Sequence, residues 1–212
     1  IPSVEMIKFA KNGSNVTTAA TKIARSFTGG RYICVPRQQP FFSFDDWFIE
    51  TTAMTRGIPT SNCSFTLQFD YGDISSLEAL FEEHPGEIAG VMLEPATTLT
   101  PCRTGCDRIL SVKTCCSNCP IVKENFLHSV EQLCNKENAL FILDEMITGF
   151  RWHIKGAAHY FGVKPDLITF GKGMANGFSV AAVGGRRDVM EGAVAHLGVV
   201  HLRLGGGWCR HG

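Results

Sequence analysis

The chain has 212 residues, of which 44% are hydrophobic, so it is long enough to bury one sizeable core. Its 20 basic and 20 acidic residues cancel, which leaves no net field that favours nucleic acid or an anionic membrane. We find no apolar run near the roughly 18–20 residues that cross a bilayer, and no secretory signal. Nine cysteines, an odd number, then indicate reduced thiols in the cytoplasm.

Apolar residues recur at helical spacing between Ser14 and Phe27, which predicts a helix with one buried face. Asn12, Gly13 and Ser14 form the turn that leads into it. A Gly-Ser turn at a helix N-terminus offers free amide groups and a hydroxyl, and both suit a phosphate group. On spacing alone, an ordinary helix cap is the simpler interpretation.

The middle of the chain alternates short apolar runs with helical patterns. Strands are predicted at 31–35, 62–70 and 88–93, the last ending at Glu94, and helices at 73–84 and 123–138. Ser75 and Glu78 have the spacing of a capping box. Four phenylalanines follow the first of these strands, and they either form core or provide a stacking face for a ligand: Phe41, Phe42, Phe44 and Phe48.

Five of the nine cysteines crowd into one segment, which spans residues 97–122. Four of them could supply thiolates to a zinc ion, namely Cys102, Cys106, Cys116 and Cys119. Their spacing is irregular, so a loop without metal is the alternative interpretation.

The most informative stretch contains two apolar runs that both end at polar residues. The run 139–143 ends at Asp144, and the run 167–170 ends at Gly171-Lys172-Gly173. A helix predicted at 155–161 separates them, as in a strand–helix–strand crossover between parallel strands. Because ligands bind beyond the carboxyl ends of parallel strands, Asp144 and Lys172 are expected to face one crevice. A further strand is predicted at 179–184.

An acid and an amine in one crevice suit a particular cofactor. A lysine with a neutral amine attacks carbonyl groups and forms Schiff bases. Pyridoxal 5'-phosphate (PLP) requires such a lysine, together with a carboxylate that keeps its ring nitrogen protonated. Lys172 and Asp144 are the candidates, although a helix-capping Asp144 and a solvated Lys172 fit the spacing as well.

The sequence of this stretch resembles that of a known protein family. LDEMITGFR, YFGVKPDLITFGKGMANG and GGRRDVME occur in the order found in class III PLP-dependent aminotransferases. The similarity covers about residues 6–191 and is greatest to the glutamate-1-semialdehyde 2,1-aminomutase-like branch. It implies an α/β fold, the large domain of fold type I PLP-dependent transferases, with a mostly parallel sheet between helices, here incomplete.

The resemblance also assigns roles to residues. Lys172 is expected to form the Schiff base with the cofactor, Asp144 to pair with its ring nitrogen and Met146 to pack on one face of the ring. Gly13 and Ser14 are expected to bind the phosphate. Phe41 occupies the place of a stacking aromatic residue, and the Glu94-Pro95 pair is expected near the cofactor without a defined role.

The resemblance implies an organisation and an activity for the whole. Residues 1–191 are expected to form a partial PLP-binding domain with an insertion at 97–122. Residues 192–212 are expected to be an atypical tail, without the small C-terminal domain, so the chain is truncated at both ends relative to the family. The family moves amino groups between small amino and oxo acids as homodimers, without a nucleic-acid or membrane partner. Alternatives are an inactive fragment and a zinc-binding module.

Overall fold

The computed structural model describes residues 1–59, 65–97, 99–101 and 125–197, with side chains as far as residue 192. Within these ranges the chain forms one seven-stranded sheet. The strands are β1 (Met6–Ala10), β2 (Tyr32–Pro36), β3 (Thr66–Phe69), β4 (Ile88–Leu93), β5 (Leu140–Asp144), β6 (Leu167–Phe170) and β7 (Ala181–Gly185). Their spatial order is β1-β7-β6-β5-β4-β2-β3, and β7 alone runs antiparallel to its two neighbours in this sheet.

Helices cover both faces of the sheet. The described residues form α1 (Gly13–Thr28), α2 (Asp46–Ile49), α3 (Ile74–Glu83), α4 (Phe126–Glu137), α5 (Ala157–Phe161) and α6 (Arg187–Leu197), with a 3-10 turn at Lys172–Met174. Helices α1 and α6 pack on one face, in a core that includes Ile23 and Met190. Helices α3, α4 and α5 pack on the other, in a core that includes Phe81 and Phe161. The predicted arrangement of a mostly parallel sheet between helices is confirmed.

The central strands explain why this sheet is stable. Every residue of β4, β5 and β6 is buried, as expected for parallel strands that are covered on both faces. Helix α1 buries one face, and its N-cap residue is Asn12, whose side chain accepts a hydrogen bond from Asn15 N. It ends at Gly29, which adopts a left-handed conformation with φ 77°.

Several predicted boundaries were wrong. The last strand begins at Ala181 rather than residue 179, and α5 begins at Ala157 rather than residue 155. Helix α3 is capped by the side chain of Asp73, which accepts a hydrogen bond from Ser75 N, and not by a capping box on Ser75. Strand β3 (Thr66–Phe69) lies within the range 62–70 predicted for it, and residues 62–64 of that range lie outside the described residues.

Strand β1 was not predicted at all, because its burial does not follow hydrophobicity. Lys8 is 5% exposed, whereas the adjacent Phe9 is 49% exposed. A pattern in which a lysine points inward and a phenylalanine outward has no strand signal. The pairing of β1 with β7 in the tertiary structure, rather than the pattern of its own residues, therefore determines that this segment is a strand.

The predicted zinc ligands Cys102, Cys106, Cys116 and Cys119 lie outside the described residues, as do residues 198–212. Among the residues that are described, no group of three or more histidine, cysteine, aspartate or glutamate side chains could hold a metal ion. The same residues contain no helix that is long and apolar enough to span a bilayer.

Candidate active site

An ionisable residue lies at or just beyond the carboxyl end of each of three neighbouring parallel strands. Glu94 follows β4, Asp144 ends β5, and Lys172 lies two residues beyond β6. The three strands are adjacent in the sheet, so their carboxyl ends meet at one edge. All three residues line a single cavity of about 650 Å³. The other predicted site residues, namely Gly13, Ser14, Phe41 and Met146, line the same cavity.

Asp144 is a buried acid, and one of its two carboxyl oxygens accepts hydrogen bonds from the protein. Its side chain is 3% exposed, and Oδ1 accepts hydrogen bonds from Met146 N at 2.9 Å and from Thr169 Oγ1 at 2.7 Å. Burial raises the pKa of Asp144, while these two hydrogen bonds and the charge of Lys172 act in the opposite direction. Within the described residues both hydrogen bonds fall on Oδ1, which leaves Oδ2 for a ligand.

The backbone around Lys172 is held in an unusual conformation. Lys172 has a φ of 41° and starts the 3-10 turn, and a left-handed non-glycine residue costs about 1–2 kcal/mol. The preceding Gly171 packs so closely on Met146 that an added Cβ would lie 2.2 Å from Met146 Sδ. The side chain of Lys172 is exposed, so its amine is free to reach into the cavity.

Replacing Gly171 with alanine is expected to lower the free energy of unfolding by about 1–3 kcal/mol, the usual cost of overpacking. The new methyl group would force Met146 out of its position beside the cavity. Gly192→Ala is the matched control, since a Cβ there meets no atom of the described residues within 4 Å. Denaturant unfolding measures both variants, and equal stability of Gly171→Ala and the parent chain would contradict the close contact.

The N-terminus of α1 forms one end of the cavity. The amide groups of Gly13 and Ser14 belong to its first turn, where the helix itself offers no acceptor. Ser14 Oγ accepts a hydrogen bond from Phe44 N at 3.1 Å, which fixes the hydroxyl at the cavity wall. Lys11 also lines this end. Free amides, a helix dipole and a nearby cation together favour an anion.

The phenylalanines divide between the two interpretations. Phe42 and Phe48 are both 2% exposed and pack edge-to-face at 5.4 Å between ring centroids, so they belong to the core. Phe41 and Phe44 line the cavity with 43% and 78% of their surface exposed. Phe41, which the sequence predicted as a stacking aromatic residue, thus lies in the cavity wall and is partly exposed.

Glu145, the second acid of the central motif, has a structural position. Its Oε2 accepts from Ala157 N at 2.7 Å and its Oε1 from Ala158 N at 2.8 Å, so it caps helix α5. The sequence offered no signal for this cap, because Glu145 and α5 are separated by a loop. It offered none either for Phe178, Ser179 and Val180, which line the cavity from the segment before β7.

Comparison with known proteins identifies sequences and structures that are similar to this chain. The family model described as "Aminotransferase class-III" matches residues 119–202. A glutamate-1-semialdehyde 2,1-aminomutase from Acetivibrio thermocellus is 37% identical over 211 residues, which cover 95% of this chain and 45% of the relative. The chain therefore spans about half the length of that curated relative.

Solved structures show the same fold. An omega-transaminase from Sphaerobacter thermophilus superposes with a TM-score of 0.72 at 24% identity, covering 90% of this chain and 42% of the other. A β-phenylalanine aminotransferase from Variovorax paradoxus superposes with a TM-score of 0.65 at 27% identity, covering 90% and 39%. The matched sequence model and the curated relative agree that the chain is similar to class-III aminotransferases, and the solved structures share its fold.

Proposed function

We propose that this chain carries the PLP-binding half of an aminotransferase or aminomutase, which acts on an amino acid or an amino-oxo acid through a Schiff base at Lys172. One observation carries the proposal: Lys172, Asp144 and the N-terminus of α1 line the same cavity. The 37% identity to an aminomutase supports it.

The residues present fit the chemistry of PLP. The cofactor needs an amine for its aldehyde, a carboxylate for its ring nitrogen and a site for its phosphate. Lys172 is an exposed amine, and Asp144 has an uncommitted Oδ2. The free amides of Gly13 and Ser14 suit the phosphate. Met146 packs against both Gly13 and Gly171 and so forms an apolar floor between the phosphate end and the lysine.

When bound, PLP supplies an electron sink for the negative charge that develops on the substrate carbon. Asp144, oriented by Thr169 and by the Met146 amide, would hold the ring nitrogen and would favour its protonated form. The Lys172 amine would be the base that moves a proton from the substrate carbon to another carbon. An aminomutase and a transaminase need the same two residues.

A reduction experiment tests this function. The chain is mixed with PLP and treated with borohydride, which turns a Schiff base into a stable secondary amine, and the modified peptide is identified by mass spectrometry. We expect the label on Lys172. A label spread over the exposed lysines, or no label, would contradict the proposal and would favour the inactive-fragment hypothesis.

The family resemblance further supports a homodimer and a small amino-acid or oxo-acid substrate. Five exposed apolar residues line the cavity in this single chain: Phe41, Phe44, Ile147, Phe178 and Val180. Exposed apolar surface of this extent at a cavity is typical of a site that another polypeptide surface completes.

A further inference from the structure

Glu94 is a buried acid that lines the cavity and has no role in the proposed chemistry. It is the first residue after β4, next to the end of β5 that carries Asp144. Its side chain is 4% exposed and lines the cavity. Its Oε2 has no hydrogen-bond partner among the described residues. A buried carboxyl oxygen without a partner is costly to a fold, so its presence beside a cavity points to a ligand.

The main chain at Glu94 is held firmly by residues distant in sequence. Glu94 N donates to Gln39 Oε1 at 2.8 Å, and Gln39 Nε2 donates to Glu94 O at 2.9 Å. Gln39 is itself only 3% exposed. The hydroxyl of Tyr71 donates to Pro95 O at 2.6 Å. These contacts hold the start of the side chain beside the cavity and leave Oε2 without a partner among the described residues.

The surroundings favour the uncharged form of this carboxyl group. Burial, and next the charge of Asp144 on β5, raise the pKa of Glu94 to about 8, while Lys172 after β6 acts in the opposite direction. An uncharged carboxyl group has one O–H donor in addition to its acceptor oxygen. Glu94 therefore offers the cavity a donor beside the acceptor oxygens of Asp144.

The position of Glu94 in the sheet indicates which part of a ligand it meets. The N-terminus of α1 lies at the β1–β7 side, where Ser179 Oγ donates to Lys11 O at 3.0 Å. Across the sheet, β7, β6, β5 and β4 follow in that order, so Asp144 lies between Lys172 and Glu94. PLP carries its phosphate arm and its ring oxygen on opposite sides of the aldehyde carbon. With the phosphate at α1, the ring oxygen would face the β4 side.

Building on the proposed function, we propose that Glu94 remains uncharged and donates a hydrogen bond to the ring oxygen of PLP. The residue thereby becomes a cofactor-binding residue that distinguishes a ring bearing a hydroxyl or oxide group from one without it. Asp144 and Glu94 then hold the same edge of the ring, the first through its nitrogen and the second through its oxygen.

Titration of the full 212-residue chain with PLP, at pH values below and above about 8, tests this role. Glu94→Gln keeps an N–H donor of the same shape at every pH, whereas Glu94→Leu has none. We expect PLP to bind the parent chain and Glu94→Gln with equal affinity below pH 8. Above it, the parent should lose affinity relative to Glu94→Gln. Glu94→Leu should bind roughly 10-fold more weakly at low pH, the usual effect of one hydrogen bond.

The exposed residue Glu82 on α3 provides the control variant Glu82→Gln, which should follow the parent chain at every pH. Equal PLP affinity of Glu94→Leu and the parent throughout the pH range would overturn the role of Glu94 alone. Failure of the parent chain to bind PLP at any pH would overturn the proposed function together with it.

Unfolding without PLP provides a second test that does not depend on the ligand. The unfolded chain releases the proton of Glu94 near pH 4.5, whereas the folded chain retains it to about pH 8. Between these values the folded state binds more protons, so its stability falls as the pH rises. The melting temperature of the parent, relative to Glu94→Gln, should therefore fall between pH 4.5 and pH 8. A constant difference over this range would overturn the uncharged state.

Discussion

Replacing Lys172 with alanine is expected to abolish the borohydride-stable attachment of PLP and to lower any amino-transfer rate by at least about 10²–10⁴-fold. The chain would lose both the amine that binds the aldehyde and the base that moves the proton. Because the Lys172 side chain is exposed, the loss should not come from unfolding. Alanine at a φ of 41° remains strained, so no gain in stability is expected either.

Lys164→Ala is the matched control, since Lys164 is also exposed but does not line the cavity. This variant should take up the same amount of PLP as the parent. Methylamine added to Lys172→Ala should restore part of the rate if the lysine acts as a base. Normal attachment of PLP to Lys172→Ala would contradict the role of Lys172 as the Schiff-base residue.

Asp144→Asn is expected to lower the rate by roughly 10²–10³-fold, the usual effect of removing one fixed charge from an active site. Asparagine keeps the Oδ1 that accepts from Met146 N and Thr169 Oγ1, so the local structure should persist. It removes the negative charge that stabilises a protonated ring nitrogen. Burial raises the pKa of Asp144, which means that the fold disfavours its ionised form. Asp144→Asn, whose side chain is neutral, should therefore not have a lower melting temperature than the parent chain.

A cofactor that is methylated at the ring nitrogen carries a permanent positive charge and should bind less tightly to Asp144→Asn than to the parent chain. Asp73→Asn is the control, because asparagine replaces aspartate well at the exposed N-cap of α3. An unchanged rate in Asp144→Asn, with the parent active, would contradict the pairing of Asp144 with the ring nitrogen.

The buried parallel strands were the part of the fold that the sequence predicted best. Strands β4, β5 and β6 are short continuous apolar runs, because both of their faces are covered by helices. Strand β1 was missed because Lys8 points inward and Phe9 outward. The short helix α2 was also missed, since four residues are too few for a helical period to be visible.

The same division applies to the site. The sequence by itself predicted that Asp144 and Lys172 lie at the ends of strands, because each follows an apolar run and strand ends are local features. Only the tertiary structure decided that Glu145 caps α5, that Phe42 is buried while Phe41 is partly exposed, and that Glu94 lies beside Asp144 in the cavity with a raised pKa. The physical reason is that burial, hydrogen-bond partners and pKa values depend on neighbours in space, and strand order brings those neighbours together from distant parts of the chain.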